Sequence, residues 1–224
     1  LAGGMGTRLK KVVPNLPKPM APIKEKPFLA ILIQYLKKQH FTSVVISVGY
    51  KAKEITNYFG SSYAGLSIKY SFEKYPLGTG GALKKALKLC SSNFVFICNG
   101  DTFVEFSPEE VINLSKNNKY PIIVGVEVSD TTRYSRLILK DKSLTGFSDK
   151  GLFGKGIINA GIYYLPKSIF YGYSLSESFS LESDFLIPFF NKFKFYCSLT
   201  NGIFIDIGIP EDYEKASSLL VKYI

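Results

Sequence analysis

The chain has 224 residues, of which 46% are hydrophobic and 21% are charged, a composition that supports a globular core and excludes a disordered or collagen-like protein. No apolar run approaches the roughly 20 residues that a membrane-spanning helix needs. One histidine and three scattered cysteines lack the paired spacing of zinc sites and disulfide frameworks. We therefore expect one domain over residues 1–224, in the reducing cytosol and without a membrane partner.

The formal net charge is +10, with 25 lysines against 3 arginines, and this charge suits anionic partners. Nucleic acid is one such partner, but base readout relies on arginine. The 15 tyrosines and 18 phenylalanines also follow strand and helix periods, which is typical of a core. Charge alone does not decide the partner, because a compositional bias with lysines solvated over the whole surface also explains it. We expect small-molecule substrates and no nucleic acid. The alternative, a basic nucleic-acid-binding domain, predicts binding that weakens steeply with salt.

Strand-like and helix-like apolar patterns alternate along the chain, which is typical of β-α units around a largely parallel sheet. In chain order, the pattern predicts a helix at residues 28–39, strands at 44–48 and 94–98, a helix that opens at Ser107, a strand at 120–128, a hairpin region at 136–149, strands at 157–165 and 202–207, and a helix at 210–223. Residues 185–196 are rich in phenylalanine and are predicted to be an exposed surface that suits a homodimer.

The sequence opens with LAGGMGTRL, which reads as a strand-to-helix turn with three glycines and an arginine. Glycine lets backbone N–H groups approach phosphate oxygens, and arginine can hold two oxygens at once, so the segment predicts an anion cradle. It lacks the third glycine of the dinucleotide fingerprint and the lysine of a Walker loop. The alternative is a tight turn beside a solvated arginine. We also expect that a strand preceding the loop has been trimmed, and that no β-helix follows residue 224.

A second feature is the segment PKPM at residues 17–20. Proline fixes φ and biases the preceding residue to extended geometry, so Lys18 stands on a stiff support and suits a fixed phosphate. The alternative is a plain surface turn.

Together, the two segments resemble the GGxGTRL…PKPM signature of the sugar-1-phosphate nucleotidylyltransferases. The resemblance continues through nearly the whole chain, at PLGTGGAL (76–83), NGD (99–101), NAGIY (159–163) and FIDIG (204–208). It is strongest to guanylyltransferases that act on mannose 1-phosphate or D-glycero-D-manno-heptose 1-phosphate, and the GTGG loop and short length favour the heptose branch. It implies an α/β, Rossmann-like three-layer nucleotidyltransferase fold with a mixed, mostly parallel sheet.

Two aspartates are candidate metal ligands. Asp101 and Asp206 each follow an apolar strand, where a carboxylate is costly unless it meets a cation, and Mg²⁺ bound with phosphates takes one or two such ligands. The alternative for each is the capping of a turn. The resemblance implies that both bind Mg²⁺ and that Arg8, Lys18 and Asp101 are catalytic.

The resemblance also implies a nucleotide-binding set. The segment at residues 76–83 is the second glycine loop. Glu73, just before it, could accept hydrogen bonds from both N1–H and the N2 amine of guanine, and the loop glycines would leave room for the base. The alternative for Glu73 is a solvated carboxylate beside Lys74. The expected nucleotide-binding residues are Leu1, Ala2, Gly3, Gly4, Gly6, Thr7, Arg8, Glu73, Gly78, Thr79 and Gly100.

For the sugar phosphate, Asp149 and Lys150 fall where the family usually has Glu-Lys-Pro, although Gly151 replaces the proline and Lys155 is a rival for the phosphate. The resemblance further implies that Asn159, Gly161 and Glu182 contact the sugar. Glu182 and Asp184 could equally be acidic residues in the first turn of a helix.

The implied reaction is attack by the phosphate of a sugar 1-phosphate on the α-phosphorus of a nucleoside triphosphate. The nucleophile is already an anion, so no general base is needed, which fits a chain with one histidine. The alternatives are another base or sugar and, in a different class, a catalytically silent regulatory subunit that binds a nucleotide sugar.

Overall fold

The computed structural model describes residues 1–6, 8–9, 12–116 and 119–224. The helices are α1 Phe28–Lys38, α2 Ala52–Phe59, α3 Gly78–Ala86, α4 Pro108–Lys116, α5 Ile187–Phe189 and α6 Pro210–Leu219. The strands are β1 Pro22–Ile23, β2 Lys26–Pro27, β3 Ser43–Val48, β4 Ser62–Tyr63, β5 Leu66–Phe72, β6 Phe94–Cys98, β7 Thr102–Val104, β8 Ile122–Val128, β9 Leu137–Lys140, β10 Ser143–Phe147, β11 Gly156–Pro166, β12 Tyr196–Thr200 and β13 Phe204–Asp206. The predicted helices and strands are present, whereas eight of the described elements were not predicted: α2, α5, β1, β2, β4, β5, β7 and β12.

Two main sheets are joined through the first residues of the chain. One sheet has the order β4-β5-β3 and the other the order β6-β11-β8-β12-β10-β9. Between β3 and β6, the Ala2 N–H donates to the Ser47 carbonyl at 2.9 Å, and the Gly100 N–H donates to the Leu1 carbonyl at 2.8 Å. Leu1 and Ala2 thus connect the two sheets directly before the glycine-rich loop.

The expectation of a mostly parallel sheet is wrong. Among the described strands, only β3 with β5 and β8 with β12 pair in parallel, and the other pairs are antiparallel. Between β8 and β11 the chain has strands but no helix, so the helical crossover that usually joins parallel neighbours is missing there. The α/β class and the mixed sheet are confirmed.

The six-stranded sheet is covered on both faces, which gives the expected three layers. In β8, Ile122 and Val124 belong to one hydrophobic cluster, while Ile123 between them belongs to a second cluster. Successive side chains of a strand point to opposite faces, so both faces of β8 are buried. No helix in the described part of the chain is long and apolar enough to cross a membrane.

The phenylalanines of residues 185–196 are packed rather than exposed, so the reading of these aromatic side chains as an open dimer surface is wrong. Phe185 and Phe195 are fully buried, and Phe189, Phe190 and Phe193 pack against the same cluster. Their rings contact one another and Phe170, which explains the richness in phenylalanine. The homodimer itself stays a prediction.

Glu105 ties the end of β7 to the C-terminal residues. Its carboxylate accepts hydrogen bonds from the Ile203 N–H at 2.7 Å and from the Tyr223 hydroxyl, and it pairs with Lys222 at 2.5 Å. Burial raises the pKa of the Glu105 carboxyl, but these three donors outweigh burial and hold the pKa below its ordinary value. The ionised form therefore stabilises the fold.

We expect Glu105→Gln to lower the free energy of unfolding at pH 7 by about 1–2 kcal/mol, because the amide loses the charge-assisted bonds. The pKa of Glu105 is lower in the folded than in the unfolded chain, so its stabilisation is present above about pH 4.5 and is lost as the pH falls. The difference from wild type should therefore shrink between about pH 5 and pH 3 in urea unfolding. Glu127→Gln, at a half-exposed carboxylate, is the control; an equal loss in both variants would contradict the assignment.

Candidate active site

The glycine-rich loop packs directly on the lysine support. Gly6 has φ +58°, and a Cβ there would lie 2.7 Å from the Lys18 Cβ, so only glycine fits without displacing Lys18. Gly4 is different, because a Cβ on it would meet nothing within 4 Å. Gly6 is therefore required by packing, whereas Gly4 faces open space. Thr7, also predicted to bind nucleotide, lies outside the described residues.

Lys18 stands between Pro17 and Pro19 and begins a short 3₁₀ turn, Lys18–Met20. Pro19 and Met20 are buried, and the Met20 N–H donates to the Pro17 carbonyl at 2.7 Å. The backbone of Lys18 is therefore anchored as the two prolines predict, and only 10% of its side chain is exposed.

Lys18 brings the two candidate metal ligands together. Its Nζ lies 2.6 Å from Asp101 Oδ2 and 3.3 Å from Asp206 Oδ1. Gly208 closes over the group, since a Cβ there would lie 3.0 Å from Asp206 Oδ1 and 3.2 Å from Lys18 Nζ. The predicted proximity of the aspartates is present in the structure, and the cation between their carboxylates is an ammonium.

Two pockets meet at this acidic pair. The first, the Gly-loop pocket, has a volume of about 240 Å³ and is lined by Leu1, Ala2, Gly4, Gly6, Arg8, Lys18, Pro19, Asp101 and Gly208. The second, the Asn159 pocket, has a volume of about 250 Å³ and is lined by Thr79, Asn99, Thr102, Tyr134, Asn159, Ala160, Gly161, Tyr163, Ser180, Leu181, Glu182, Phe204 and Asp206. Asp101 lines the first and Asp206 the second, so the pair marks their junction.

A larger cavity of about 550 Å³ lies between β3 and β6. Its lining is mostly apolar, and Leu1, Ala2 and Gly100 are the predicted site residues that it touches. Its lining does not include Asp101, Asp206, Lys18 or Arg8. We therefore assign the chemistry to the two smaller pockets.

A bulge in β11 shapes the Asn159 pocket. Asn159 pairs with Gly125 of β8 and Tyr163 pairs with Ile123, so three residues of β11 stand opposite one residue of β8. Gly161, inside the bulge, has φ +74°, and a Cβ there would lie 2.7 Å from Asn99 Nδ2. The bulge breaks the strand alternation and lets β11 line the pocket with consecutive residues.

Asn159 is held by protein groups and in turn holds Glu182. Its Nδ2 donates to the Tyr163 hydroxyl at 2.6 Å and to Glu182 Oε1 at 2.5 Å, and its Oδ1 accepts from the Gly161 N–H at 3.0 Å. Burial raises the pKa of Tyr163, and the nearby Glu182 carboxylate raises it further. Tyr163 therefore stays a neutral hydroxyl. Glu182 accepts from Asn159 at Oε1, and its Oε2 accepts no hydrogen bond from the described residues.

The neighbouring acid, Asp184, has a capping role. Its carboxylate accepts from the Ser180 N–H at 2.7 Å and from the Ser183 hydroxyl at 3.0 Å. Of the two acids for which a sugar contact and a helix-turn role were both open, Glu182 lines the pocket and Asp184 caps the turn.

The second glycine loop does not leave open space for a base as expected. A Cβ on Gly78, where φ is +68°, would lie 2.4 Å from the Phe179 carbonyl oxygen, and one on Gly80 would overlap the Phe179 ring. The Gly80 N–H donates to the Phe179 carbonyl at 2.9 Å, and the Leu181 N–H donates to Thr79 Oγ1 at 2.8 Å. These glycines therefore admit the segment at residues 177–181.

Glu73 lies where the loop and the start of the chain meet. Its Oε1 accepts from the Ser47 hydroxyl at 3.1 Å, and its Oε2 accepts from the Leu77 N–H at 3.3 Å. A Cβ on Gly3 would lie 2.2 Å from Oε1, so Gly3 is required by this carboxylate. Glu73 is thus a fixed, partly buried group, and the reading of a solvated carboxylate beside Lys74 is wrong.

Asp149 and Lys150 line neither the Gly-loop pocket nor the Asn159 pocket. The next residue of their loop, Gly151, has φ +88°. Arg136 fixes the loop, because its Nη2 donates to the Phe153 carbonyl at 2.7 Å. The rival Lys155 is paired with Glu127 at 2.9 Å.

Sequence reasoning missed Arg133, which lies between Asp212 and Asp206. Its Nη1 donates to Asp212 Oδ2, and its Nη2 lies 3.8 Å from Asp206 Oδ2. Burial raises the pKa of Asp212, but Arg133 and Lys215 outweigh burial and hold it below the ordinary value. The available signal was the scarcity of arginine, since Arg133 is one of three in the chain.

The donor set fits a magnesium site. Two carboxylates converge on one cation, and no group of three or more metal-ligating side chains occurs in the described ranges. Mg²⁺ binds substrate phosphates through one or two protein carboxylates and keeps water as its other ligands, so Asp101 and Asp206 suffice.

A family model described as nucleotidyl transferase matches residues 1–222. The chain belongs to the nucleotidyl transferase family. Such nucleotidyltransferases generally use a divalent metal ion. The resemblance drawn from the two N-terminal motifs is therefore confirmed.

Several relatives match this nucleotidyltransferase over 95% or more of its length. It is 44% identical to D-glycero-alpha-D-manno-heptose 1-phosphate guanylyltransferase of Aneurinibacillus thermoaerophilus, over 100% of this chain and 98% of the relative. It is 42% identical to the enzyme of that name from Campylobacter jejuni, over 95% of each chain. The crystal structure of HddC from Yersinia pseudotuberculosis matches with a TM-score of 0.86 and 41% identity over 97% of this chain and 96% of that one. A structure of HddC complexed with GMP-PN matches with a TM-score of 0.84.

We expect Gly6→Ala to destabilise the nucleotidyltransferase by about 1–2 kcal/mol, because alanine must adopt a positive φ and its Cβ overlaps Lys18. Gly4→Ala is the matched control, since its Cβ meets nothing within 4 Å. Urea unfolding of both variants measures the difference. Equal stability of the two would contradict the packing of the loop on Lys18.

Proposed function

We propose that this nucleotidyltransferase transfers the guanylyl group of GTP to D-glycero-D-manno-heptose 1-phosphate, forming a GDP-heptose and pyrophosphate. The observation that carries the proposal is the junction of a glycine-lined pocket and an amide- and carboxylate-lined pocket at Asp101, Asp206 and Lys18. A reaction that joins a triphosphate to a second substrate needs two sites that meet at one centre of charge. The choice of GTP and heptose is supported by the names of the relatives at 44% and 42% identity.

In the proposed reaction, a phosphate oxygen of the sugar 1-phosphate attacks the α-phosphorus of GTP. The bond from the α-phosphorus to the bridging oxygen breaks, and the electron pair leaves with pyrophosphate. The Gly-loop pocket supplies backbone N–H groups together with Arg8 for the departing phosphates. Lys18 is the cation nearest the junction and would stabilise charge on the α-phosphate.

Asp101 and Asp206 are the residues that would hold Mg²⁺. When bound there, the metal ion supplies positive charge to the α-phosphate and helps to orient it. Lys18 contacts both carboxylates, so its ammonium lies beside the place where the α-phosphate would bind. The metal site, at Asp101, and the phosphate site, at Lys18, are therefore in direct contact.

The sugar is proposed to bind in the Asn159 pocket. Glu182 is oriented by Asn159, and its Oε2 can accept hydrogen bonds from sugar hydroxyls. Asn159 gives both of its N–H donors to protein groups, so it acts on the sugar mainly through Glu182. Gly161 shapes the wall beside them.

Several earlier expectations stay predictions. Asp149 and Lys150 as sugar-phosphate ligands, Thr7 at the nucleotide and a cytosolic location belong to this group. A silent regulatory subunit is disfavoured, because the chain keeps Arg8, Lys18 and both aspartates, the residues that such a subunit would be free to lose.

We expect pyrophosphate release in the presence of Mg²⁺ with GTP and the heptose 1-phosphate together, and not with UTP, CTP or dTTP, or with mannose 1-phosphate or glucose 1-phosphate. Turnover with another pair of substrates would support the reaction but exclude the proposed substrates. No turnover with any pair, from folded protein, would favour the regulatory subunit.

We expect Lys18→Ala to lower kcat about 100-fold or more, the scale of one lost preorganised donor. Chelation of divalent metal should abolish turnover of the wild-type chain.

Base recognition is proposed to lie with Glu73. Its carboxylate is fixed beside Gly3 and the start of α3 by Ser47 and Leu77. Each carboxylate oxygen accepts more than one hydrogen bond, so both still have capacity for the N1–H and N2 amine of guanine. Inosine triphosphate lacks the N2 amine and therefore tests this contact alone.

We expect the wild-type chain to prefer GTP to inosine triphosphate by about 10- to 100-fold in kcat/KM, and Glu73→Gln to lose most of this preference, because a charge-assisted bond contributes about 1.5–3 kcal/mol. Glu54→Gln, at an exposed glutamate of α2, is the control. An unchanged GTP preference in Glu73→Gln would exclude Glu73 as the reader of the base.

A further inference from the structure

Arg133 has donor capacity that its ion pair does not use. In the described part of the chain, Nη1 bonds Asp212, whereas the 3.8 Å from Nη2 to Asp206 is too long for a hydrogen bond. Guanidinium has five N–H donors in a planar fork. The side chain is 35% exposed, so the free edge of the fork is open to a ligand.

The guanidinium is not part of the lining of the Asn159 pocket, but it contacts two residues that line it. Its central carbon is 5.4 Å from the centre of the Tyr134 ring, and Nη2 faces Asp206. Tyr134 and Asp206 both line that pocket. Arg133 therefore stands beside the acidic pair on the side where the sugar 1-phosphate is proposed to enter.

The charges of the proposed reaction require a cation at this place. The attacking phosphate is an anion that approaches a second anion, the triphosphate, beside two carboxylates. Arg8 and Lys18 lie in the Gly-loop pocket, on the triphosphate side. Of the described residues that contact Asp206, Arg133 is the cation on the other side.

The lysines expected from the sequence are less well placed. Lys155 is engaged by Glu127. Among the described residues, Arg133 contacts Asp206 and Tyr134 of the Asn159 pocket, and no ion pair joins Lys150 to the acidic pair. Arginine also binds phosphate bidentately, which fixes the orientation of a nucleophile better than a single ammonium does.

We infer that Arg133 binds the phosphate of the sugar 1-phosphate and that Asp212 competes for the same guanidinium. The inference rests on the proposed function. Asp212 accepts from Nη1, and the phosphate would take the N–H groups of Nη2 and Nε. Because the Asp212 carboxylate neutralises part of the guanidinium charge, it weakens phosphate binding.

The two partners of the ion pair give opposite predictions. Arg133→Gln should raise KM for the sugar 1-phosphate at least about 10-fold and leave KM for GTP within about 2-fold, because a bidentate phosphate contact is lost. Asp212→Asn should leave KM for the sugar 1-phosphate unchanged or lower it, because the competing carboxylate loses its charge. Arg133→Lys should restore part of the loss, since the charge remains and the fork does not.

The measurement uses the sugar 1-phosphate that the wild-type chain turns over; if it turns over none, the proposed function fails and calorimetric binding of the heptose 1-phosphate replaces KM. Urea unfolding of all variants shows the stability loss that both variants share when the ion pair is broken. Equal effects of Arg133→Gln and Asp212→Asn on KM would overturn the inference, because they indicate a purely structural ion pair. A rise of KM in Lys150→Gln with none in Arg133→Gln would overturn it too.

Discussion

The contact of one ammonium with two carboxylates is the constraint on which the site depends. Asp101 follows β6 and Asp206 ends β13, so the two carboxylates come from different sheets. Without a cation between them, the repulsion between the two carboxylates would drive the ends of these two strands apart. Lys18 supplies that charge from a support that its flanking prolines hold rigid. The meeting point of the two pockets is therefore set by electrostatics as much as by packing.

Lysines and arginines have different roles around this site. Most of the net charge of +10 comes from lysines, whereas the three arginines have defined places. Arg8 lines the Gly-loop pocket, Arg133 borders the Asn159 pocket, and Arg136 holds backbone carbonyls of the loop beyond it. Planar, multiply donating side chains are thus used where direction matters.

The sequence predicted the local features of the site well, because they depend on neighbouring residues. The proline-held Lys18, the turn at Gly6 and the strands that carry Asp101 and Asp206 follow from short patterns. Strand direction was wrong, since pairing is decided by residues far apart in the chain. Arg133 was missed for the same reason, because its approach to Asp206 exists only after β13 has formed. The burial of residues 185–196 likewise needs the second hydrophobic cluster around them.

The glycines that open α3 have a mechanical consequence for the neighbouring pocket. The Phe179 carbonyl accepts N–H bonds from the first turn of α3, and Leu181 donates to Thr79 in that turn. Leu181 and Glu182 form one wall of the Asn159 pocket. That wall is therefore hydrogen-bonded to the first turn of α3. A displacement of the wall has to break these hydrogen bonds or displace α3, the helix next to Glu73, together with it.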